Sequence, residues 1–411
     1  MAENPSQLPV LGQAAHDSGK KLGRPLRVLT LTPFYPSAAD EAGGCFVAEP
    51  LQALATTEVQ STVFAVQPFY RGRLVARSSD AQARGMRYFS LPGGFGLPIA
   101  GAFLFARIVS QVRDLQQAGA IDLIHAHGPL PCGHAAMLLN AELKVPYVVS
   151  VHGLDAFAAE QVKGRAGDWC RRVSMRVYRA SQRVICISEH VRERVLEGTG
   201  RSCRTTVVYN GVDPVLFSPV EDPGSGNLGV LSVGNLIPIK GHELLIRAIA
   251  SLAAEFPAIA LEIVGDGAER SRLQAVAGEL QIANRVRFLG RQSRQQVAEA
   301  MRRCSVFALP SRYEGLGCVY LEAMAVGKAV IGCRGQGIAE VIVHGSNGFL
   351  VGPDNEKELT VALAMLLRDN ALRGRLGTAA TDTILDRFTL AQQAHNLVRI
   401  YRESITQESV A

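Results

Sequence analysis

The chain has 411 residues, 47 % hydrophobic and 19 % charged, with a formal net charge of +6. That is enough for two or three domains, two being the better fit, and it is too apolar for a disordered protein. The mild positive balance permits an acidic ligand or an anionic lipid surface but does not argue for nucleic acid, and no zinc-finger or aromatic RNA-binding signature occurs.

Residues 1–24 are polar, with Pro5, Pro9 and Gly12 and no long apolar run, which predicts a disordered tail rather than a secretion signal. Leu26–Thr32 reads as an apolar strand, followed by TPFYPS and a turn at Gly43 and Gly44 that opens a helix over Phe46–Ala55. Val59–Val66 is the next strand. Arg71–Arg87 is polar and arginine-rich with little periodicity, so a surface loop or short helix is expected. Helical spacing covers Phe103–Leu115. A strand at Ile121–Ala126, a helix at Pro131–Leu143 and a strand at Val145–Val151 follow, then an arginine-rich helix at Asp168–Ala180. Val184–Ile187, Glu189–Leu196 and Thr205–Tyr209 complete the first half as strand, helix and strand.

Asp213–Asn227 breaks the alternation with Pro214, Pro219, Pro223 and a Gly-Ser-Gly run, and reads as a linker. Strands at Leu228–Val233, Ala258–Val264, Val286–Leu289 and Val306–Leu309 then alternate with helices at Gly241–Glu255, Ala268–Leu280 and Arg294–Arg303. A glycine loop, Gly315 to Gly317, leads into a helix at Val319–Val326, and a strand begins at Ala329. A short helix near Ala339–Val343, a strand at Phe349–Val351 and three helices from Glu356 to Ser404 end the chain. Strands alternating with helices predict two doubly wound parallel sheets: residues 25–212, the 213–227 linker, and 228–388, with a last helix over 389–405. The eight cysteines are dispersed and none forms a C-x-x-C pair, which suits reduced thiols in the cytoplasm. No stretch reaches the roughly 18 to 20 apolar residues that a membrane span needs.

Ligands of open α/β sheets bind beyond the carboxyl ends of the strands, and several polar groups sit there. His125 and His127 share one strand face and suit hydrogen bonding or substrate contact better than metal, for which no further ligands are supplied. His152 before Gly153 is either a core histidine or a ligand contact. Lys240, at a helix start, could reach a diphosphate held by that helix end. Gly265-Asp266-Gly267 fits a strand-to-helix turn, and Arg270 beyond it suits either a phosphate or a surface pair. The Gly315–Gly317 loop exposes backbone amides to an anion, while Glu314 and Glu322 suit sugar hydroxyls. Arg171, Arg172, Arg176 and Arg179 beside Trp169 make a basic amphipathic helix, either solvated or resting on an anionic membrane.

The segments GGCFVAEPLQALA, IHAHGP, VVSVHGLD, VICISEHV, VVYNGVD, SVGNLIPIKGHELLI, IVGDGAER, LPSRYEGLGCVYLEAMAVGKAVI and IAEVIVHGSNGFLV occur in an order that resembles the family 4 retaining glycosyltransferases of the GT-B fold. The resemblance implies two Rossmann-like domains facing across a cleft, an acceptor on the first and a nucleotide-sugar donor on the second. Glu314 and Glu322 match the family's Glu-x7-Glu signature, which implies that Glu314 contacts the donor sugar and Glu322 the ribose. By the same match the backbone of Gly315, Leu316 and Gly317 meets the sugar and diphosphate. Lys240 neutralises the departing diphosphate and His152 lies near the reaction centre. The Gly43–Gly44 turn approaches from the first domain. Gly44, Asn235, Gly265 and Arg270 join the donor-side candidates, and Gly43, His127 and His152 those on the acceptor side. Asn235 stands where many members carry arginine, a lost phosphate cation for which Arg270 is the candidate substitute. The donor is a substrate, so no cofactor or metal is expected. The partners implied are a UDP- or GDP-linked sugar, a saccharide or lipid-linked acceptor of a bacterial surface glycan, and an anionic membrane surface. The competing readings are a nucleotide-sugar epimerase on the same fold and a non-catalytic sugar-nucleotide binding protein.

Overall fold

The computed structural model describes residues 24–37, 40–71, 83–92, 94, 96–157, 162–220 and 229–406. The predicted tail up to residue 23, residues 72–82 of the predicted loop and residues 221–227 of the predicted linker lie outside them.

The first domain runs through β1 (Leu26–Thr32), α1 (Cys45–Ala55), β2 (Val59–Pro68), β3 (Ala83–Tyr88), α2 (Leu97–Gln117), β4 (Leu123–His127), α3 (His134–Leu143), β5 (Tyr147–Val151), α4 (Gly164–Ala180), β6 (Arg183–Cys186), α5 (Glu189–Thr199) and β7 (Thr205–Val207). Its sheet has the order β3-β2-β1-β4-β5-β6-β7, and its pairings are parallel, with Leu26 against Val59 and Val28 against Leu123. The strands β4 and β5 are buried along their whole length. That is why they read as continuous apolar runs rather than as alternation.

The second domain comprises β8 (Gly229–Val233), α6 (His242–Leu252), β9 (Ala260–Val264), α7 (Arg270–Glu279), β10 (Val286–Gly290), α8 (Arg294–Arg303), β11 (Val306–Ala308), α9 (Cys318–Ala325), β12 (Ala329–Cys333), β13 (Phe349–Val351), α10 (Glu356–Arg368) and α11 (Asn370–Arg387), and a further helix, α12 (Leu390–Thr406), follows it. Its sheet order is β10-β9-β8-β11-β12-β13, again with parallel pairings.

Two expectations change. Part of the stretch expected as loop or short helix is an edge strand, β3. Its sequence ARGMRY buries only Met86 and Tyr88 and leaves Arg84, Gly85 and Arg87 exposed. Two alternate apolar positions are too few for a visible period. The helix expected from Pro131 begins at His134, because Pro129–Gly133 forms a separate wide turn with Leu130 in a non-helical conformation.

Although it follows the second domain in sequence, α12 packs on the first. Ala394, Leu397, Ile400 and Tyr401 share a buried cluster with Leu26, Val28, Leu54, Leu123 and Val148. The crossing is pinned where the Gly211 amide donates to Gln393 Oε1 at 2.8 Å and the Leu390 amide to the Val212 carbonyl at 3.0 Å. Further contacts hold the domains face to face. The Glu340 carboxylate, in a short 3-10 turn at Gly337–Glu340, accepts the Glu189 and His190 amides at 2.8 and 2.7 Å and the Tyr209 hydroxyl at 2.9 Å. An acid at the amino end of α5 also meets the positive end of the helix dipole. Ser188, the N-cap of α5, donates its hydroxyl to the Gly315 carbonyl.

Ile400 is 1 % exposed. Ile400→Ala is expected to lower stability by about 2–5 kcal/mol, read from urea unfolding, because truncation leaves a cavity between α12 and the first sheet.

Candidate active site

A cleft of about 730 Å³ lies between the two domains. Gly43, Gly44 and His152 line it from the first domain. Asn235, Lys240, Gly265, Gly315, Leu316, Gly317, Glu314 and Glu322 line it from the second. Eleven of the thirteen donor- and acceptor-side candidates are therefore brought together. Arg270 and His127 are not among the lining residues. Arg270 instead faces Asp266 at 3.7 Å and donates to the Phe288 carbonyl at 3.4 Å, the surface-pair alternative.

Two close backbone approaches shape the cleft. At Gly44 φ is +81°, and a Cβ there would lie 2.5 Å from the backbone of Phe34 and Tyr35. A Cβ on Gly315 would lie 2.7 Å from the His152 carbonyl, so this loop meets the first domain only without a side chain. Gly317 caps α9, whose amino end opens on the cleft. Unpaired amides and the helix dipole make that end suited to an anion.

Beside it, Lys240 Nζ donates to Glu314 Oε1 at 2.5 Å, and Ser311 donates to the same oxygen at 3.1 Å. The Glu314 amide is held by Gln336 Oε1 at 3.1 Å. Glu314 is 7 % exposed. A buried carboxylate of this kind needs its cation, and removing either partner leaves a charge out of water without compensation.

A second ionic group was not anticipated. Arg294, the first residue of α8, donates from Nε and Nη2 to the two oxygens of Glu49 on α1, at 2.7 and 3.1 Å. Its Nη1 donates to Glu322 Oε1 at 2.7 Å. The guanidinium lies over the Phe217 ring, 4.8 Å from its centroid. Burial pushes the Glu49 carboxyl above its ordinary range, with Arg294 opposing the shift. The available signal was a cation in the first turn of a helix, where the dipole disfavours positive charge.

The histidines form a ladder from α12 toward the cleft. The Tyr401 hydroxyl bonds His125 Nδ1 at 2.7 Å, and His125 Nε2 bonds the Ser150 hydroxyl at 2.7 Å. His125 and His127 stack at 4.4 Å, and His127 Nδ1 bonds His152 Nε2 at 2.9 Å. His127 thus stands behind His152 as its support. The His152 ring packs against Phe34 and Phe46 and leaves Nδ1 without a partner among the described residues. Burial lowers His125 and His152 to about 3, and lowers His127 with help from its two neighbours, so the ladder is neutral. Burial raises Asp155, which accepts the His152 amide at 2.8 Å, to about 6.

Residues 46–216 match the family Glycosyltransferase Family 4, and residues 220–383 match Glycosyl transferases group 1. A glycosyltransferase of Methanocaldococcus jannaschii is 32 % identical over 266 residues, covering 64 % of this chain and 71 % of that protein. The chain belongs to the group 1, family 4 glycosyltransferases. A D-inositol 3-phosphate glycosyltransferase of Streptomyces avermitilis is 28 % identical over 439 aligned residues, 95 % of this chain and 93 % of the relative. Sucrose-phosphate synthase from Thermosynechococcus elongatus superposes with a TM-score of 0.75 at 22 % identity, covering 93 % of this chain and all of that one. Anabaena HepE, solved with UDP-glucose, gives 0.71 at 23 % identity, covering 93 % and 99 %. The fold of this glycosyltransferase is GT-B, two parallel-sheet α/β domains across a cleft.

The buried histidines make a pH prediction. An unfolded histidine titrates near 6.5 and so takes up a proton, on acidification, that the folded ladder refuses. Each such group removes about 1.4 kcal/mol of stability per pH unit between roughly 6.5 and 4. His242, lowered to about 4 by burial, adds the same sign, while the raised carboxyls of Asp155 and Glu49 oppose it. The histidines outnumber these carboxyls, so urea midpoints should fall from pH 6.5 to 4.5. His127→Gln should reduce that slope.

Proposed function

We propose that this glycosyltransferase moves a sugar from a UDP- or GDP-linked donor to a saccharide or lipid-linked acceptor, with retention of configuration and without a metal ion, in the assembly of a bacterial surface glycan. The carrying observation is the Lys240–Glu314 pair set beside the amino end of α9 and the Gly315–Gly317 backbone. In this reading the donor diphosphate takes Lys240 from Glu314, and Glu314 turns to a hydroxyl of the donor sugar. Glu322 takes a ribose hydroxyl, and Asn235 and Gly265 lie along the nucleotide. The bond from the anomeric carbon to phosphate breaks while the acceptor oxygen attacks from the same face. The acceptor's proton passes to the departing phosphate oxygen, so no strong protein base is needed. Lys240 and the α9 amides stabilise the charge that builds on the diphosphate. His152, neutral and with Nδ1 unpartnered, offers a hydrogen bond to a sugar hydroxyl, and Gly43 and Gly44 close the acceptor side.

The reading is supported by Anabaena HepE, whose structures hold UDP and UDP-glucose. A lipopolysaccharide core biosynthesis glycosyltransferase of Rhizobium meliloti, 30 % identical over 55 % of this chain and 65 % of its own length, supports the surface-glycan setting. No helix among the described residues is long and apolar enough to cross a membrane. A peripheral contact at the cytoplasmic face is supported by α4, where Trp169 is 43 % exposed beside Arg172 and Arg176. Arg171 lies over Phe157, and Arg179 is bonded to Ser202 and the Thr199 carbonyl, which leaves Arg172 and Arg176 as the better placed cations.

Incubation with a panel of nucleotide sugars and acceptors should show acceptor-dependent release of nucleoside diphosphate. Isomerised donor without acceptor would favour an epimerase, and tight binding without turnover a binding protein. Lys240→Ala and Glu314→Ala should each lower kcat by roughly 10²- to 10³-fold, and unchanged turnover would overturn the assignment. The protein should sediment with anionic vesicles at low salt and be released as salt rises. No sedimentation at low salt would remove the membrane from the proposal.

A further inference from the structure

Arg294 joins the two domains inside the cleft wall through three hydrogen bonds, two to Glu49 and one to Glu322. All three side chains are largely withdrawn from water, at 15 %, 18 % and 2 % exposure for Arg294, Glu49 and Glu322. The arrangement is incomplete at one atom. Glu322 Oε2 is buried and has no hydrogen-bond partner among the described residues, and Glu322 lines the cleft. A carboxylate oxygen without a donor is costly, and the cost disappears when a ligand hydroxyl supplies one. The guanidinium is a planar fork with fixed donor directions. Holding Oε1 at 2.7 Å fixes the plane of the Glu322 carboxylate and thereby the direction in which Oε2 accepts. The fork is oriented in turn by Glu49, which belongs to the opposite domain, and by Phe217 against its face.

We propose that Arg294 is the positioning residue of the ribose subsite, setting Glu322 Oε2 toward one ribose hydroxyl, and that Glu49 makes this subsite complete only when the domains are closed. This rests on the reading that Glu322 receives the ribose. It goes beyond that reading in making recognition of the nucleoside depend on a contact across the domain boundary. Lysine at 294 would retain charge but could not bond two carboxylates with the same fixed geometry. Glutamine at 49 would keep the shape and lose the charge.

The test measures binding of UDP and GDP to the full chain by calorimetry. The tighter ligand is then compared with its 2′-deoxy and 3′-deoxy forms. The wild type should lose affinity by roughly ten- to a hundredfold at one hydroxyl, as for a hydrogen bond to a charged group. Glu322→Gln should reduce that ratio to below about threefold. Arg294→Met and Arg294→Lys should reduce it equally, and raise KM for the donor more than they lower kcat. Glu49→Gln should give an intermediate ratio. The ratio is internal to each variant, so general loss of stability does not imitate the effect. If Arg294→Met does not fold, Arg294→Lys decides. A wild-type ratio in the Arg294 variants with a lost ratio in Glu322→Gln overturns the role of Arg294 and leaves the ribose reading standing. A wild-type ratio in Glu322→Gln overturns the ribose reading itself.

Discussion

Charge held out of water at the seam between the domains is the constraint on which the rest depends. Glu49 and Glu322 approach one guanidinium from opposite domains, and Lys240 and Glu314 pair a short distance away. Buried ions are tolerated only in complete, well-directed sets. The seam therefore accepts few relative placements of the two sheets. The close loop at Gly315 follows from it, because a side chain there would meet the His152 carbonyl and push the faces apart before the ionic contacts could form.

The two walls of the cleft work by different means. The second domain's wall is ionic, with a lysine, a helix end and carboxylates, the arrangement that the proposed donor site rests on. From the first domain the cleft is met by a neutral histidine, His152. Behind it stand His127, bonded to it, and His125, stacked on His127 and bonded to Ser150 and to Tyr401 from the returning helix α12. A neutral imidazole can accept or donate without adding charge, which under the proposed reading suits a hydroxyl acceptor beside a diphosphate. Because Tyr401 stands at the far end of this ladder, the last helix supports the cleft at His152 as well as the first domain's core.

Much of this was legible in the sequence. Alternating βα units imply both sheets, and polar residues just beyond strand ends, such as His152, Lys240 and Glu314, are among those that line the cleft. What was not legible depended on distance across the fold. Arg294 looks like an ordinary surface residue at a helix start until Glu49, which is 245 positions away, is placed against it. Arg270 shows the converse. Its sequence position beyond a strand is suitable, but its side chain returns to its own turn at Asp266. For His127, strand periodicity gave the face shared with His125 but not that His152 would stand in front of it. The strand β3 escaped because an edge strand with two buried residues lacks the apolar run that marks its buried neighbours.

The Glu340 carboxylate completes the first turn of a helix in the other domain. Helix ends ordinarily find their partners locally; here, part of the cap is lent across the boundary. Separation of the domains therefore exchanges a protein acceptor for solvent at the Glu189 and His190 amides. Hydrogen exchange at those two positions becomes a gauge of how often the cleft opens, readable without any ligand bound.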